Sequence, residues 1–133
     1  MNNPPTLLLV EDEPLIRTAL ADALDEGGYV LLESDDAADA MTKIDTVPAI
    51  AGIITDIRLG AGPSGWEVAR HARSTNPHVA IVYMSGDSGV DWRAQGVPNS
   101  VMVQKPFANA QVLIAISTLL NAADVSPVQP ETE

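Results

Sequence analysis

The sequence has no cysteine, few aromatic residues and few cations. Its 133 residues include 7 Lys and Arg against 18 Asp and Glu, which gives a formal net charge of −11. Because affinity for nucleic acid comes largely from clustered cations, this balance argues against DNA or RNA as a direct ligand. Without cysteine, disulfide bonds are excluded.

Long apolar runs are also missing. No stretch approaches the roughly 18 apolar residues that would span a bilayer, and the start MNNPPT lacks the charged and apolar regions of a signal peptide. We therefore expect a soluble, cytoplasmic protein that makes no contact with a membrane.

What the chain does contain is aliphatic. Hydrophobic residues make up 46% of it and aromatic residues only 4%, so the core must be built from Ala, Val, Ile and Leu. That composition is typical of sheets packed under helices. The length favours one domain, since a second core would have little chain left to form it.

Short apolar runs alternate with amphipathic stretches, a pattern typical of a parallel sheet with helices on both faces. We predict five strands, at residues 6–10, 29–34, 50–55, 80–84 and 100–103. The first, third and fourth are the most apolar and should lie at the centre of the sheet.

Helices are predicted between and after the strands. The first follows Pro14 and stops at Gly27-Gly28, and the second follows Asp35-Asp36. The others are predicted at residues 65–75, 88–95 and 108–121. Residues 1–5 and 122–133 are rich in proline and polar groups, so we expect flexible segments on either side of a domain at 6–121.

Charged and polar side chains follow four of the predicted strands. Glu11 and Asp12 follow the first, Asp56 the third, Ser85 the fourth and Lys105 the fifth. Because the carboxyl ends of parallel strands meet at one edge of a sheet, these residues should converge there.

Crowded carboxylates raise one another's pKa unless a cation joins them, and oxygen ligands of this kind suit Mg²⁺. A divalent ion beside Asp56 would also neutralise an incoming phosphoryl group, whose other oxygens Lys105 and Ser85 could bind. The Asp56 carboxylate, already ionised, is then a candidate nucleophile. Taken alone, the acids at 11–13 would fit equally well a solvated loop or a helix start capped by Asp12.

The joint pattern resembles the receiver domain of two-component response regulators, over roughly residues 6–121. The resemblance rests on the pair Glu11-Asp12, on Asp56 after an apolar strand, on Ser85, and on the dipeptide Lys105-Pro106. It implies a five-stranded, doubly wound, flavodoxin-like α/β fold with strand order 2-1-3-4-5.

The resemblance also implies a function. A histidine kinase or a histidine phosphotransfer protein would pass a phosphoryl group from phosphohistidine to Asp56. Mg²⁺ would be bound by Asp12, Asp56 and the backbone carbonyl of Arg58, and by Glu11 through water. Lys105 would contact the phosphoryl group, and Ser85 would move towards it and signal through the face formed by the fourth helix, fifth strand and fifth helix.

Such a domain would catalyse its own phosphorylation and dephosphorylation without being a conventional turnover enzyme. With no output domain in the sequence, we expect a stand-alone receiver that signals by contact with another protein, or a phosphate shuttle.

The sequence departs from the family's pattern at three places. The segment IRLGAGPSGWE after Asp56 is one residue longer than the common form. Met102 replaces the usual aromatic switch residue on the fifth strand. Arg58 and Asp87 each lie two residues beyond a key group, and we hypothesise that they pair and set the lifetime of the phosphorylated state.

Two other functions fit parts of the pattern. A magnesium-dependent phosphatase of the haloacid dehalogenase type would also use an aspartyl nucleophile, but it requires a second aspartate where this chain has Arg58. A flavodoxin-like cofactor site would need a glycine- and hydroxyl-rich loop in place of Glu11 to Glu13. We interpret His71 and His78, for which no acidic partner is apparent, as non-catalytic surface residues.

Overall fold

A five-stranded parallel sheet forms the centre of the molecule in the computed structural model, which describes residues 3–86 and 90–125. The strands are β1 (Thr6–Val10), β2 (Val30–Ser34), β3 (Ile50–Asp56), β4 (Ala80–Ser85) and β5 (Ser100–Gln104). The helices are α1 (Pro14–Glu26), α2 (Ala37–Thr46), α3 (Gly65–Thr75), α4 (Val90–Gln95) and α5 (Asn109–Val125).

The strand order is β2-β1-β3-β4-β5, as predicted, with β1, β3 and β4 in the interior. Every neighbouring pair is parallel, and the ladders bring Val10 opposite Thr55, Asp56 opposite Met84, and Ser85 opposite Gln104. The carboxyl ends of the strands therefore share one edge of the sheet.

Side chains that alternate along each strand divide between two apolar clusters. Leu8 and Ile53 point into the cluster that contains residues of α2 and α3, whereas Leu7 and Ile54 point into the cluster that contains residues of α1 and α5. The period of two along a strand produces this division, because successive side chains lie on opposite faces. Strands covered on both faces must be apolar throughout, which explains the uninterrupted run LLLV in β1.

The helix ends follow from local sequence signals. Pro14 occupies the first turn of α1, and Gly27 is its C-cap. The Asp36 side chain caps α2 by accepting a hydrogen bond of 2.8 Å from the Asp39 N–H. Ser64 and Glu67 form a reciprocal capping box at the start of α3.

The element bounds differ from prediction by a few residues. Strands β3, β4 and β5 each continue one residue further, because Asp56, Ser85 and Gln104 still pair with a neighbouring strand. Helix α5 extends to Val125, beyond the predicted end at residue 121. Helix α4 begins at Val90 within the described residues, and the predicted start at Ser88 lies outside them.

Two arginines of α3 hold the segment that connects α4 to β5. Arg70 donates a hydrogen bond of 3.1 Å to the Gln95 carbonyl, and Arg73 donates one of 2.7 Å to the Pro98 carbonyl. Arg73 also donates to Val79 at the entry to β4, at 2.8 Å. These contacts fix the carboxyl end of α4 against α3.

A buried tyrosine of β4 contributes to the same anchor. Tyr83 is fully buried, and its hydroxyl accepts a hydrogen bond of 3.1 Å from the Val97 N–H. Its ring packs on Trp66, with 4.7 Å between the ring centroids. Trp92 of α4 is partly buried and donates to the Ser100 hydroxyl at 3.0 Å.

Among the described residues, no helix has the length and apolarity needed to cross a bilayer.

Candidate functional site

Four strand ends deliver the predicted site residues to one edge of the sheet. Glu11 follows β1 directly, Asp56 and Ser85 are the last residues of β3 and β4, and Lys105 follows β5. Hydrogen bonds between neighbouring ends hold this edge together, including Lys105 N–H to the Ser85 carbonyl at 2.7 Å. Glu11, Asp56 and Ser85 are all buried, so the site lies below the surface of the edge.

Lys105 joins two of the acids. Its Nζ lies 3.1 Å from Asp56 Oδ2 and 3.2 Å from Glu11 Oε1, with only 20% of the lysine side chain exposed. Burial alone would lower the pKa of Lys105, but hydrogen bonds and charge attraction from Asp56 and Glu11 outweigh that effect and raise it. The ammonium group is therefore charged, and it is held against the carboxylate of Asp56.

Three carboxylates meet at this point. Oxygen atoms of Glu11, Asp12 and Asp56 all lie within 4.8 Å of one another. Burial raises the pKa of Glu11 to about 7, although a hydrogen bond from the Glu13 N–H opposes part of the shift. Burial also raises the pKa of Asp56, against the opposing effect of the Lys105 hydrogen bond. One ammonium group does not compensate three crowded acids.

This donor set fits Mg²⁺. The ion prefers oxygen ligands and is held in proteins by one or two carboxylates together with water and phosphate oxygens. The raised pKa values of Glu11 and Asp56 are themselves a sign that a further cation would be favourable here, because it would stabilise both ionised forms. The N-cap of α1 is Glu13, so Asp12 is not used as a helix cap.

Three groups hold Glu11 in place. Its N–H donates to the Ser34 carbonyl at 3.1 Å, and its own carbonyl accepts a hydrogen bond of 2.8 Å from Arg17 Nη1. Its carboxylate accepts from the Glu13 N–H at 3.1 Å. Sequence reasoning missed Arg17, because a side chain that binds a main-chain carbonyl has no pattern of its own.

Gly65 allows α3 to start against β3, the strand that ends in Asp56. A β-carbon at this position would lie 2.1 Å from the Asp56 carbonyl oxygen and 2.9 Å from Ile57 Cα. The Gly65 N–H donates to the Ile57 carbonyl at 2.8 Å. Only glycine permits this approach, which fixes the backbone that carries Asp56.

Comparison with known proteins agrees with this geometry. The family described as the response regulator receiver domain matches residues 7–117 of the chain. The chain belongs to the response regulator receiver family. The fold, the strand order and the membership in two-component systems that the sequence predicted are thereby confirmed.

Similar proteins include receivers both alone and within longer chains. A solved response regulator receiver protein from Sinorhizobium medicae WSM419 is 38% identical, with a TM-score of 0.88 over 90% of this chain and 97% of that one. The response regulator receiver protein CpdR of Brucella abortus is 28% identical, and the match covers 88% of this chain and 98% of CpdR.

The transcriptional regulatory protein CusR of Escherichia coli K12 is 31% identical over 86% of this chain. The receiver chain spans about half the length of CusR and of other transcriptional regulatory proteins that it matches. The alternative of a haloacid dehalogenase-type phosphatase finds no support in these matches. The second aspartate required by that mechanism is replaced by Arg58.

The long loop after the receiver's Asp56 borders a cavity beside the site. Gly60 and Gly62 have φ of 80° and 96°, values that favour glycine. The cavity has a volume of about 430 Å³, and its walls include Arg58, Ser85 and Trp66. The loop therefore leaves an opening next to the edge of the sheet that carries Asp56.

The remaining predicted residues lie away from the carboxylates or outside the described part of the chain. Met102 is partly buried and pairs in register with Tyr83 of β4, so an aromatic ring lies on the neighbouring strand. Asp87 lies outside the described residues, and its pairing with Arg58 stays a prediction.

The histidine prediction needs one correction. His71 does have an acidic partner, because its Nε2 lies 2.7 Å from Asp45 Oδ1. The pair joins α3 to α2 and is remote in sequence, which is why the sequence did not indicate it. His78 is exposed, as expected.

Proposed function

We propose that this receiver accepts a phosphoryl group from phosphohistidine on Asp56 in a reaction that depends on Mg²⁺. The observation that carries the proposal is the position of Lys105 Nζ, 3.1 Å from Asp56 Oδ2, beside three carboxylates within 4.8 Å of one another. A buried nucleophilic carboxylate, a fixed cation and an acidic metal-binding set are the parts that phosphoryl transfer requires.

Asp12 and Asp56 would hold the ion directly, together with the backbone carbonyl of Arg58, and Glu11 would hold it through water. When bound, Mg²⁺ supplies positive charge that neutralises the phosphoryl oxygens and the attacking carboxylate. Asp12 is exposed, whereas Glu11 and Asp56 are buried. The proposed ligands therefore extend from the solvent-exposed surface to the buried carboxylate of Asp56.

In the proposed step, an Asp56 oxygen attacks phosphorus while the phosphorus–nitrogen bond to the donor imidazole breaks. The electron pair of that bond stays on the imidazole nitrogen, and a new phosphorus–oxygen bond forms on Asp56. Lys105 and the Ser85 hydroxyl would bind phosphoryl oxygens as they gain charge. No general base would be needed, because Lys105 and the bound ion would hold the attacking carboxylate in its ionised form.

The phosphoryl donor would be a histidine kinase or a histidine phosphotransfer protein. An apolar surface adjoins the site and suits a protein partner: Leu15 is 87% exposed, and it lines a groove of about 290 Å³ with Lys105, Pro106 and Phe107. Exposed apolar groups of this kind mark protein contacts when they are clustered.

The output would be contact with another protein through the face formed by α4, β5 and α5. Met102 and Trp92, both partly buried, lie on the elements of that face and could repack when Ser85 moves. The hypothesis that Arg58 and Asp87 set the lifetime of the phosphorylated state belongs to this proposal. An unchanged dephosphorylation rate in Arg58→Ala would discard it.

The proposal is tested by intact-mass measurement after incubation with phosphoramidate, a small donor with a phosphorus–nitrogen bond. We expect the mass of one phosphoryl group to be added with Mg²⁺ and not with chelator, and to be absent in Asp56→Asn. The control Asp45→Asn, which alters an exposed acid on α2, should be phosphorylated like the wild type. A mass gain that persists in Asp56→Asn would place the acceptor elsewhere.

A further inference from the structure

We propose that Arg17 is a positioning residue of the acidic site, and that it sets the affinity for the divalent cation by holding the main chain that carries Glu11 and Asp12. The inference rests on the proposed function. It begins from one contact: Arg17 Nη1 donates a hydrogen bond of 2.8 Å to the Glu11 carbonyl.

The Glu11 carbonyl and the Asp12 amide belong to one planar peptide unit. Holding the carbonyl therefore fixes the plane from which the Asp12 side chain departs. On the other side, the Glu11 N–H is held by the Ser34 carbonyl at 3.1 Å. Because Asp12 is exposed, the backbone is the main constraint on where its carboxylate stands.

Arg17 is itself anchored. Its Nε lies 3.4 Å from Glu33 Oε1, and Glu33 lies on β2 in register with Leu9 of β1. The guanidinium thus has one edge on β2 and another on the turn after β1. Its side chain is 23% exposed, so the charge-assisted hydrogen bond to Glu11 is partly shielded from water. A lysine has no planar fork with which to make both contacts.

Charge and positioning predict opposite effects at this residue. A cation near a metal site repels the metal, so a purely electrostatic role means that removing Arg17 would strengthen Mg²⁺ binding. Loss of a residue that orients metal ligands typically weakens affinity about 10- to 100-fold. The sign of the change in affinity therefore separates the two roles.

The test is calorimetric titration of the full chain with MgCl₂. Arg17→Met should weaken binding about tenfold, at the lower end of that range. The control Arg93→Met removes the same charge from an exposed position on α4 and should leave the affinity unchanged. Glu33→Gln keeps the Arg17 charge but loosens its anchor, and should weaken binding less than Arg17→Met does.

Phosphorylation by phosphoramidate gives a second readout. The Arg17→Met rate should fall at limiting Mg²⁺ and return to the wild-type rate at saturating Mg²⁺, a rescue that general structural damage would not allow. Wild-type affinity in Arg17→Met, or tighter binding, would overturn the positioning role alone. Wild-type protein that binds no Mg²⁺ would overturn the proposed function and this inference with it. If Arg17→Met fails to fold, Glu33→Gln decides: unchanged affinity in that variant overturns the inference.

Discussion

Gly65 lies so close to Asp56 that a β-carbon on it would be 2.1 Å from the Asp56 carbonyl oxygen. The atoms it would meet belong to the backbone, so neither a flexible side chain nor a rotamer change can relieve the contact. The start of α3 and the main chain of Asp56 are thus placed by a single glycine.

Gly65→Ala should therefore lower both stability and phosphorylation. Overpacking of this kind costs about 1–3 kcal/mol, and the displaced backbone would move the Asp56 carboxylate away from Lys105. Urea unfolding measures the first effect and the phosphoramidate rate the second. Gly86→Ala is the stability control, since a β-carbon there meets nothing within 4 Å. Equal midpoints for the two variants would contradict the prediction.

The pH dependence of stability should reflect the raised pKa of Glu11. Its pKa is about 7 in the folded chain against an ordinary value of 4.5, so the folded state binds more protons between these values. Stability must then fall as pH rises through this window. The loss of stability caused by ionising Glu11 is absent below pH 4.5 and complete above about 7, where it amounts to about 3 kcal/mol.

The measurement is urea unfolding in chelator between pH 5.5 and 7.5. Glu11→Gln should flatten the slope of the unfolding free energy against pH. Slopes are compared, and not absolute stabilities, because the new amide faces the Glu13 N–H and lowers stability at every pH. Saturating Mg²⁺ should also remove the slope, because the ion binds only ionised carboxylates and the unfolded chain carries few protons on these groups in this pH range. A wild-type slope in Glu11→Gln would assign the effect to other groups.

Tyr83→Phe should destabilise the receiver by about 1–2 kcal/mol. The substitution keeps the ring against Trp66 but leaves the Val97 N–H without its acceptor. Tyr29→Phe is the matched control, because Tyr29 is only partly buried and should change stability by less than about 0.5 kcal/mol. Thermal unfolding of the two variants side by side provides the comparison, and equal midpoints would argue against the hydrogen bond.

His71→Ala should leave phosphorylation unchanged and lower stability by less than about 1 kcal/mol. The contact between His71 and Asp45 lies at the surface, and exposed polar pairs of this kind contribute little. A double-mutant cycle with Asp45→Ala measures the coupling between the two side chains. A large loss of phosphorylation in His71→Ala would mean that the histidine serves the reaction after all.

The fold was predictable because its strands are short, apolar and parallel. Once strand ends are assigned, parallel register alone brings Asp56, Ser85 and Lys105 to one edge, so the site could be assembled from the sequence. The strand bounds fell short by one residue at Asp56 and Ser85, because polar residues there still pair in the ladder.

The contacts that the sequence did not reveal join residues through the main chain or across helices. Arg17 binds a carbonyl, which every residue offers, and His71 meets Asp45 26 residues away. Gly65 could be recognised as a helix start, but its approach to Asp56 depends on how α3 lies against β3. Such contacts arise from the packing of the folded chain, and no period or spacing in the sequence indicates them.

The anchoring of the segment after α4 determines how that helix can move. Arg70, Arg73 and Tyr83 hold the segment at its carboxyl end, so under the proposed function a displacement that starts near Ser85 would become a rotation about Gln95. At 1.5 Å per residue, six residues span about 9 Å, and a turn of about 10° shifts the first of them by about 1.5 Å. Surface residues in the first turn, such as Asp91, would thus travel furthest. A partner that distinguishes the phosphorylated from the unphosphorylated receiver should therefore contact that end of the helix.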